Sequence, residues 1–358
     1  MQEDFHYYAT YCAAILAGYT HEESLTICFS AQFVDLCTKT FLTVVDGPKE
    51  AATTQLNLEL MDMKLDKRGL QEITSVWSSF HFLPYDLNAK RKKRSRAYMQ
   101  KYRLICNTNG ELLKETVNRA YSEPLEAVGI AMHILADTWA HRYFAGTPSL
   151  VINNTNYYFY EILDKDGKEE RRPITFKHKA SMSDDIENAV YLNCIYQYSE
   201  KSIMNLGHGR AGHLPDYSFI KYVYLPAWMD YEEMIKDNPS DYYHAFSQMV
   251  YALRTIHRQE HEFECDRYAF DVVDEYKNEI MRILKTRRLS ASEDWRAFGM
   301  KLSGKEVPEF DLTDAKQEYK NASDKENTTL GRFFHAAIEQ KRLVTRKIYA
   351  KPVKKKKE

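Results

Sequence analysis

Three polar residues recur at four-residue steps within one apolar stretch of this 358-residue chain: His133, Asp137 and His141. On an α-helix a four-residue step drifts by only about 40°, so all three project along one stripe. Their neighbours are Ala131, Met132, Ile134, Leu135, Ala136, Trp139 and Ala140. Two imidazoles and a carboxylate cannot be buried bare in such company. Each unpaired polar group costs about 1–3 kcal/mol and an unpaired carboxylate more. A metal ion would satisfy all three together; a hydrogen-bonded His–Asp brace of a helical core is the alternative.

Further polar residues lie in apolar settings. Asp4 and His6 open the first apolar segment, and Asp35 sits deep in the second among Phe33, Val34, Leu36 and Cys37. His81 is flanked by Phe80 and Phe82, and the glycine-rich stretch from Gly207 to Asp216 carries His208, His213 and Asp216. Glycine lets such a loop approach a bundle closely and deliver ligands to it. Taken singly, each also fits a structural role: a cap for Asp4, a satisfied core histidine for His81, a turn for the loop. Together, imidazoles mixed with carboxylates and without cysteine favour zinc, manganese or iron over a thiolate site.

The elements that must position these residues read as helices. The segment from Phe5 stops at Gly18, as a helix C-terminus does, and Thr20 to Glu23 has the form of a capping box opening a helix that runs to about Val45. Residues 56–65 suggest an irregular strand, and Gly69 to Pro84 is ambiguous. Ser122-Glu123-Pro124 starts the helix that holds the stripe, and Gly146 with Pro148 stops it. An Asp-Lys-Asp-Gly turn between β-leaning runs in 156–178 predicts a hairpin, and 206–226 reads as a loop. The expected fold is mainly α, a multi-helix bundle with a small β-hairpin insertion. Residues 1–230 form its metal-binding core with the insertion near 150–180, 231–347 a C-terminal helical extension packed on the core, and 348–358 a basic disordered tail.

The order His6, Asp35, His81, His133-x-x-x-Asp137, His141 and a downstream His with an acid resembles the zinc-dependent phospholipase C and single-strand nuclease superfamily. More closely, the Asp-Phe-His-Tyr-Tyr-Ala-Thr opening, Ala-Asp-Thr-Trp-Ala-His and Gly-His-Leu-Pro-Asp look like a bacterial family of unknown function. The likeness covers about the first 220 residues. The superfamily resemblance implies a bundle holding two or three zinc ions, whose activated water attacks a phosphoester. It places His6 at one outer ion, Asp35, His81, His133 and Asp137 around the central one, and His141 with His213 and Asp216 at the remaining one, His208 competing with His213. Those enzymes use the amino group of an N-terminal tryptophan as a ligand; here Asp4 stands in that place. Asp137 and Arg210 are the expected catalytic groups, Arg210 and Arg142 offering planar forks to a phosphate.

Composition narrows the rest. Fifty Lys and Arg against 51 Asp and Glu disfavour a globally basic nucleic-acid binder, while the run Lys90–Arg96 and the lysine-rich end leave local contact with nucleic acid or anionic lipid open. The six cysteines are scattered and read as reduced core residues. No apolar run approaches the ~18 residues of a membrane span, and the acidic start is unlike a secretory signal, so the chain is expected to be cytoplasmic. There is no P-loop, G-x-G-x-x-G, His-Glu-x-x-His or His-Asp dipeptide, and His257-x-x-x-His261 lies among polar neighbours as a solvated face would. The expected function is metal-dependent phosphoester hydrolysis. A non-catalytic, metal-braced interaction module is the competing class, and amide or other ester hydrolysis at the same metals a third.

Overall fold

The computed structural model describes residues 1–56, 59–60, 67–89, 102–178, 182–193 and 206–349. The basic run Lys90–Arg96, the lysine-rich end, Cys194 and most of the strand expected at 56–65 lie outside the described residues. The fold is mainly α, as expected.

The chain enters through a π-helical turn, Asp4–Ala9, that continues as α1 (Thr10–Ala17). Wide π turns leave ladder positions unmatched and recur at functional sites; this one buries Phe5, His6, Tyr7 and Tyr8. Gly18, with φ +103°, ends α1, and the Thr20–Glu23 capping box opens α2 (His21–Phe33). The expected run to Val45 is broken here. Thr38 caps a separate helix, α3 (Lys39–Val45), by accepting the Phe41 amide through its hydroxyl, so Asp35 falls in the intervening turn instead of a helix interior. The ambiguous segment resolves as α4 (Lys67–Phe80) with His81 just past its end. After α5 (Glu111–Arg119) comes α6 (Leu125–Ala140), preceded by Pro124 and ending at His141, several residues before the glycine stop that sequence suggested.

Helix α6 packs against α2, α4 and α5, and α7 (Asn238–Arg258) lies against both α1 and α6. Longer helices further along the chain are α8 (Lys277–Lys285), α9 (Ser292–Ser303), α10 (Thr313–Asn321) and α11 (Thr329–Tyr349), the last packing on α4 and α6. One apolar core runs from Phe5 through α6 to Ile348, so the C-terminal helices share it with the N-terminal ones.

The β insertion is larger than a hairpin. Strands β1 (Tyr160–Lys165) and β2 (Lys168–Pro173) form the expected antiparallel pair, and β3 (Thr175–Lys177) runs parallel to β4 (Val190–Leu192). Strands β5 (Lys221–Tyr224) and β6 (Met234–Asp237) join the first sheet in the order β2-β1-β5-β6, pairing across residue 230. Their contribution was missed because Gly and Pro punctuate 206–226 while the strands themselves are only four residues long. Among the described residues, Cys12, Cys28, Cys37 and Cys106 are buried free thiols and Cys265 a partly buried one. No described helix is long and apolar enough to cross a membrane.

Candidate metal centre

Helix α6 is the platform. His133 and Asp137 lie on its buried face at 0% and 1% exposure. His141 takes the C-cap position, its amide still bonded to the Asp137 carbonyl at 2.8 Å, which keeps it on the same stripe although the helix has ended. Gly129 lets α2 come close: a Cβ there would stand 2.4 Å from the Ile27 carbonyl oxygen and 2.6 Å from Ser30 Cβ. That approach places the Ala31 carbonyl against His133 and the turn after α2, with Asp35, over the same face.

Around this platform the acceptors converge. Asp137 Oδ2 lies 3.2 Å from His81 Nδ1 and 3.2 Å from His133 Nε2, and Asp137 Oδ1 lies 3.2 Å from His6 Nε2. Asp35 sits within 3.8–3.9 Å of His81, His133 and His6. A second group is built by Asp216, whose Oδ1 is 3.2 Å from His141 Nε2 and 3.3 Å from His208 Nε2. Three sets of residues thus come within metal-ligating distance of one another: His6, His133 and Asp137; Asp35, His81 and His133; His141, His208 and Asp216.

The proton positions in these rings follow from their outer partners. A carbonyl oxygen only accepts, so a ring nitrogen facing one must carry the hydrogen. His133 Nδ1 donates to Ala31 O at 2.9 Å, His81 Nε2 to Thr53 O at 3.1 Å and His141 Nδ1 to His81 O at 2.8 Å. Where such a ring is neutral, its other nitrogen points a lone pair at a carboxylate, and the two acceptors repel unless a positive charge lies between them. Backbone carbonyls orienting imidazoles in this way are the usual support of metal-ligating histidine. Both ring nitrogens of His6 are buried and make no hydrogen bond among the described residues, which fits the same donor role. The set of imidazoles and carboxylates could therefore hold a metal ion.

The electrostatics agree at His6 and His141. Burial, helped by His133 and the Met1 ammonium, holds His6 down to about 4, and burial holds His141 at about 4 against the pull of Asp137. Burial alone would raise the Asp137 carboxyl, but His141, the Met1 ammonium, His133 and His6 keep it well below the ordinary range. Burial is likewise overcome at Asp216, chiefly by His208 and the Met1 ammonium, with the His141 ring beside it. At His81 burial is outweighed by Asp137 and Asp35, so its pKa is raised.

Some expected residues lie elsewhere. Asp4 does not join the cluster: its Oδ2 accepts the Ala291 amide at 2.9 Å, tying the π turn to the start of α9. The α-amino nitrogen of Met1 does lie against the cluster, 2.8 Å from Asp137 Oδ1 and 3.2 Å from Asp216 Oδ1. Burial disfavours that ammonium, yet Asp137, Asp216 and Asp35 raise it to about 11. Of the two competing loop histidines, His208 faces Asp216, whereas His213 turns to Asp184 at 2.9 Å. The reason is backbone shape: Gly207 and Gly212, at φ +52° and +58°, bracket a single helical turn that aims His208 inward. Arg210 is buried with Nη1 on the Thr155 carbonyl and its guanidinium over the Tyr157 ring, and Arg142 pairs with Asp241 at 2.9 Å. Sequence reasoning had no means of naming the three orienting carbonyls, since every residue carries one.

The chain matches a family of unknown function, DUF6765, over residues 1–348, and belongs to it. No curated protein and no solved structure matches the chain.

Proposed function

We propose that this protein is a metal-dependent hydrolase of phosphoesters, of the zinc type, built on the clustered His and Asp side chains. The observation that carries the reading is the triple of histidines at 81, 133 and 141. Each spends one N–H on a backbone carbonyl and turns its other nitrogen toward Asp137 or Asp216. The order of these residues along the chain, which resembles that of the zinc-dependent phospholipase C and single-strand nuclease superfamily, supports it further.

His6, His133, Asp137, Asp35 and His81 would hold the inner ion or ions, and His141, His208 and Asp216 the outer one. Divalent ions held there supply an acidified water and neutralise phosphoryl charge. Asp137, facing the inner group through both oxygens and linked to Asp216 through the Met1 nitrogen, keeps the two groups in register. Asp35 at 30%, His208 at 24% and Asp216 at 12% side-chain exposure give the cluster a solvent-facing side on which a phosphoester can approach.

A bracing role for the inner ion alone is the second reading, favoured by the near-complete burial of His6, His133 and Asp137. Elemental analysis followed by assay on aryl and alkyl phosphodiesters separates the two. Metal bound in stoichiometric amount with no turnover of any phosphoester would reject the hydrolase and leave the brace.

A further inference from the structure

The outer group draws its two imidazoles from distant parts of the chain, His141 from the end of α6 and His208 from the turn that Gly207 opens. The rings meet edge to face, with centroids 4.7 Å apart and planes 85° from parallel. Both turn Nε2 toward the same oxygen, Asp216 Oδ1. A shift of either segment therefore moves one nitrogen off the shared point. The side chain that lies between the two segments is Asn153.

Asn153 is 6% exposed and closes the single helical turn Leu150–Asn153. Its amide clasps the backbone of Ala145, just past His141. Oδ1 accepts the Ala145 amide at 3.2 Å, and Nδ2 donates to the Ala145 carbonyl at 2.9 Å and lies 3.4 Å from that of Thr147. Ala145 is itself tied to the end of α6, since the neighbouring Phe144 amide donates to the His141 carbonyl at 3.0 Å. On its other side the Asn153 amide lies against Gly207. A Cβ at that glycine would fall 2.6 Å from Asn153 Cγ and 2.8 Å from Nδ2, and nearer still to Oδ1. Only glycine lets the backbone come so close. Gly207 is also where the turn starts: its carbonyl accepts the Arg210 and Ala211 amides at 3.1 and 3.0 Å, and His208 is the next residue. An amide with both polar ends committed to one stretch of backbone cannot rotate without breaking those bonds, so it forms a fixed stop for Gly207.

We propose that Asn153 is a positioning residue for the outer ion: by joining the Ala145 backbone to Gly207 it holds His208 in register with His141 and Asp216. This rests on the outer ion of the reading above and not on hydrolysis. Asn153 is no ligand, because its oxygen and nitrogen are already spent on Ala145; it acts through Gly207. An amide of the same kind elsewhere supplies the comparison. Asn118, on α5, accepts the Phe263 amide at 2.7 Å through Oδ1 and donates to the Phe263 carbonyl at 3.2 Å through Nδ2.

Zinc is titrated into chelator-stripped wild type, Asn153→Ala, Asn118→Ala and His208→Ala against a competing chromogenic chelator, with melting temperatures measured on the same samples. The ion that His208→Ala loses is the outer one. The expected result is that Asn153→Ala binds that ion about 10-fold more weakly or worse and the inner zinc as wild type does. Asn118→Ala should melt earlier than wild type and bind zinc as wild type does at both groups. Unchanged outer affinity in Asn153→Ala, a loss shared equally by inner and outer ions, or a matching outer loss in Asn118→Ala overturns the proposal. Zinc binding that His208→Ala leaves unaltered removes the outer-ion reading itself, and the proposal with it.

Discussion

The imidazole rings of His6 and His133 are stacked, with centroids 3.8 Å apart and planes 18° from parallel. Two buried rings this close cannot both be positively charged imidazolium without strong repulsion. Both rings turn a nitrogen toward one carboxylate, Asp137, at 3.2 Å. Several expected outcomes follow from this arrangement.

Asp137→Asn removes the charge shared by four histidines and the Met1 ammonium. With zinc supplied, its metal affinity is expected to fall by more than the ~10–100-fold seen when only an outer partner of a ligand is lost. In chelator-treated protein the Met1 ammonium keeps Asp216 at 3.2 Å but loses its nearer partner, and the loss should cost about 3 kcal/mol, the low end for breaking a buried pair. Elemental analysis and urea unfolding check the two halves separately.

Acid should destabilise the chelator-treated protein. His6 and His141 are held at about 4, below the ordinary 6.5. The unfolded chain takes up protons on these rings below about pH 6.5 and the folded chain only near 4. Their stabilising share is thus present above 6.5 and lost as pH falls toward 4. His81 has the opposite sign: its pKa is raised, so its share is present below 6.5 and lost as pH rises through the folded value. Two rings outweigh one. A net loss of about 2 kcal/mol between pH 7 and 5 is expected from urea unfolding; unchanged stability would show the histidines to be exposed to solvent protons.

Gly129→Ala should separate α2 from α6. The new Cβ would meet the backbone of Ile27 and Ala31, which cannot swing aside as a flexible side chain can. The cost is expected at about 1–3 kcal/mol. Because Ala31 O orients His133, metal content should fall along with the unfolding midpoint.

Lys236 is fully buried, its Nζ bonded at 2.8 Å to both the Trp139 carbonyl and Asp241 Oδ2, near the C-terminus of α6. Lys236→Met leaves Asp241 with Arg142 as its remaining ion-pair partner among the described residues and should cost about 3 kcal/mol, the low end for breaking a buried pair. Adding Asp241→Leu should recover only part of that loss, since it removes the buried carboxylate but also the partner of the one-fifth-exposed Arg142. Urea denaturation of the single and double variants measures it.

Much of this site was legible along the chain. The His133-Asp137-His141 stripe, the Gly18 stop and the Thr20 cap are local patterns, set by backbone geometry within a turn or two. His6, Asp35, His81 and Asp216 stood out because polar residues in apolar surroundings demand partners. Other features turned on distant contacts. Asp35 lies in a turn because Thr38 starts a new helix, a signal present in the sequence and outvoted by the apolar run around it. The choice of His208 over His213 depends on two left-handed glycines, and the nearness of the Met1 nitrogen, with Asp4 turned away, on where the π turn docks. Residue type and spacing decided which groups needed a charge partner. Only packing decided which of them share one, because a side chain's direction is set by its own backbone while its neighbours are set by segments far away in the chain.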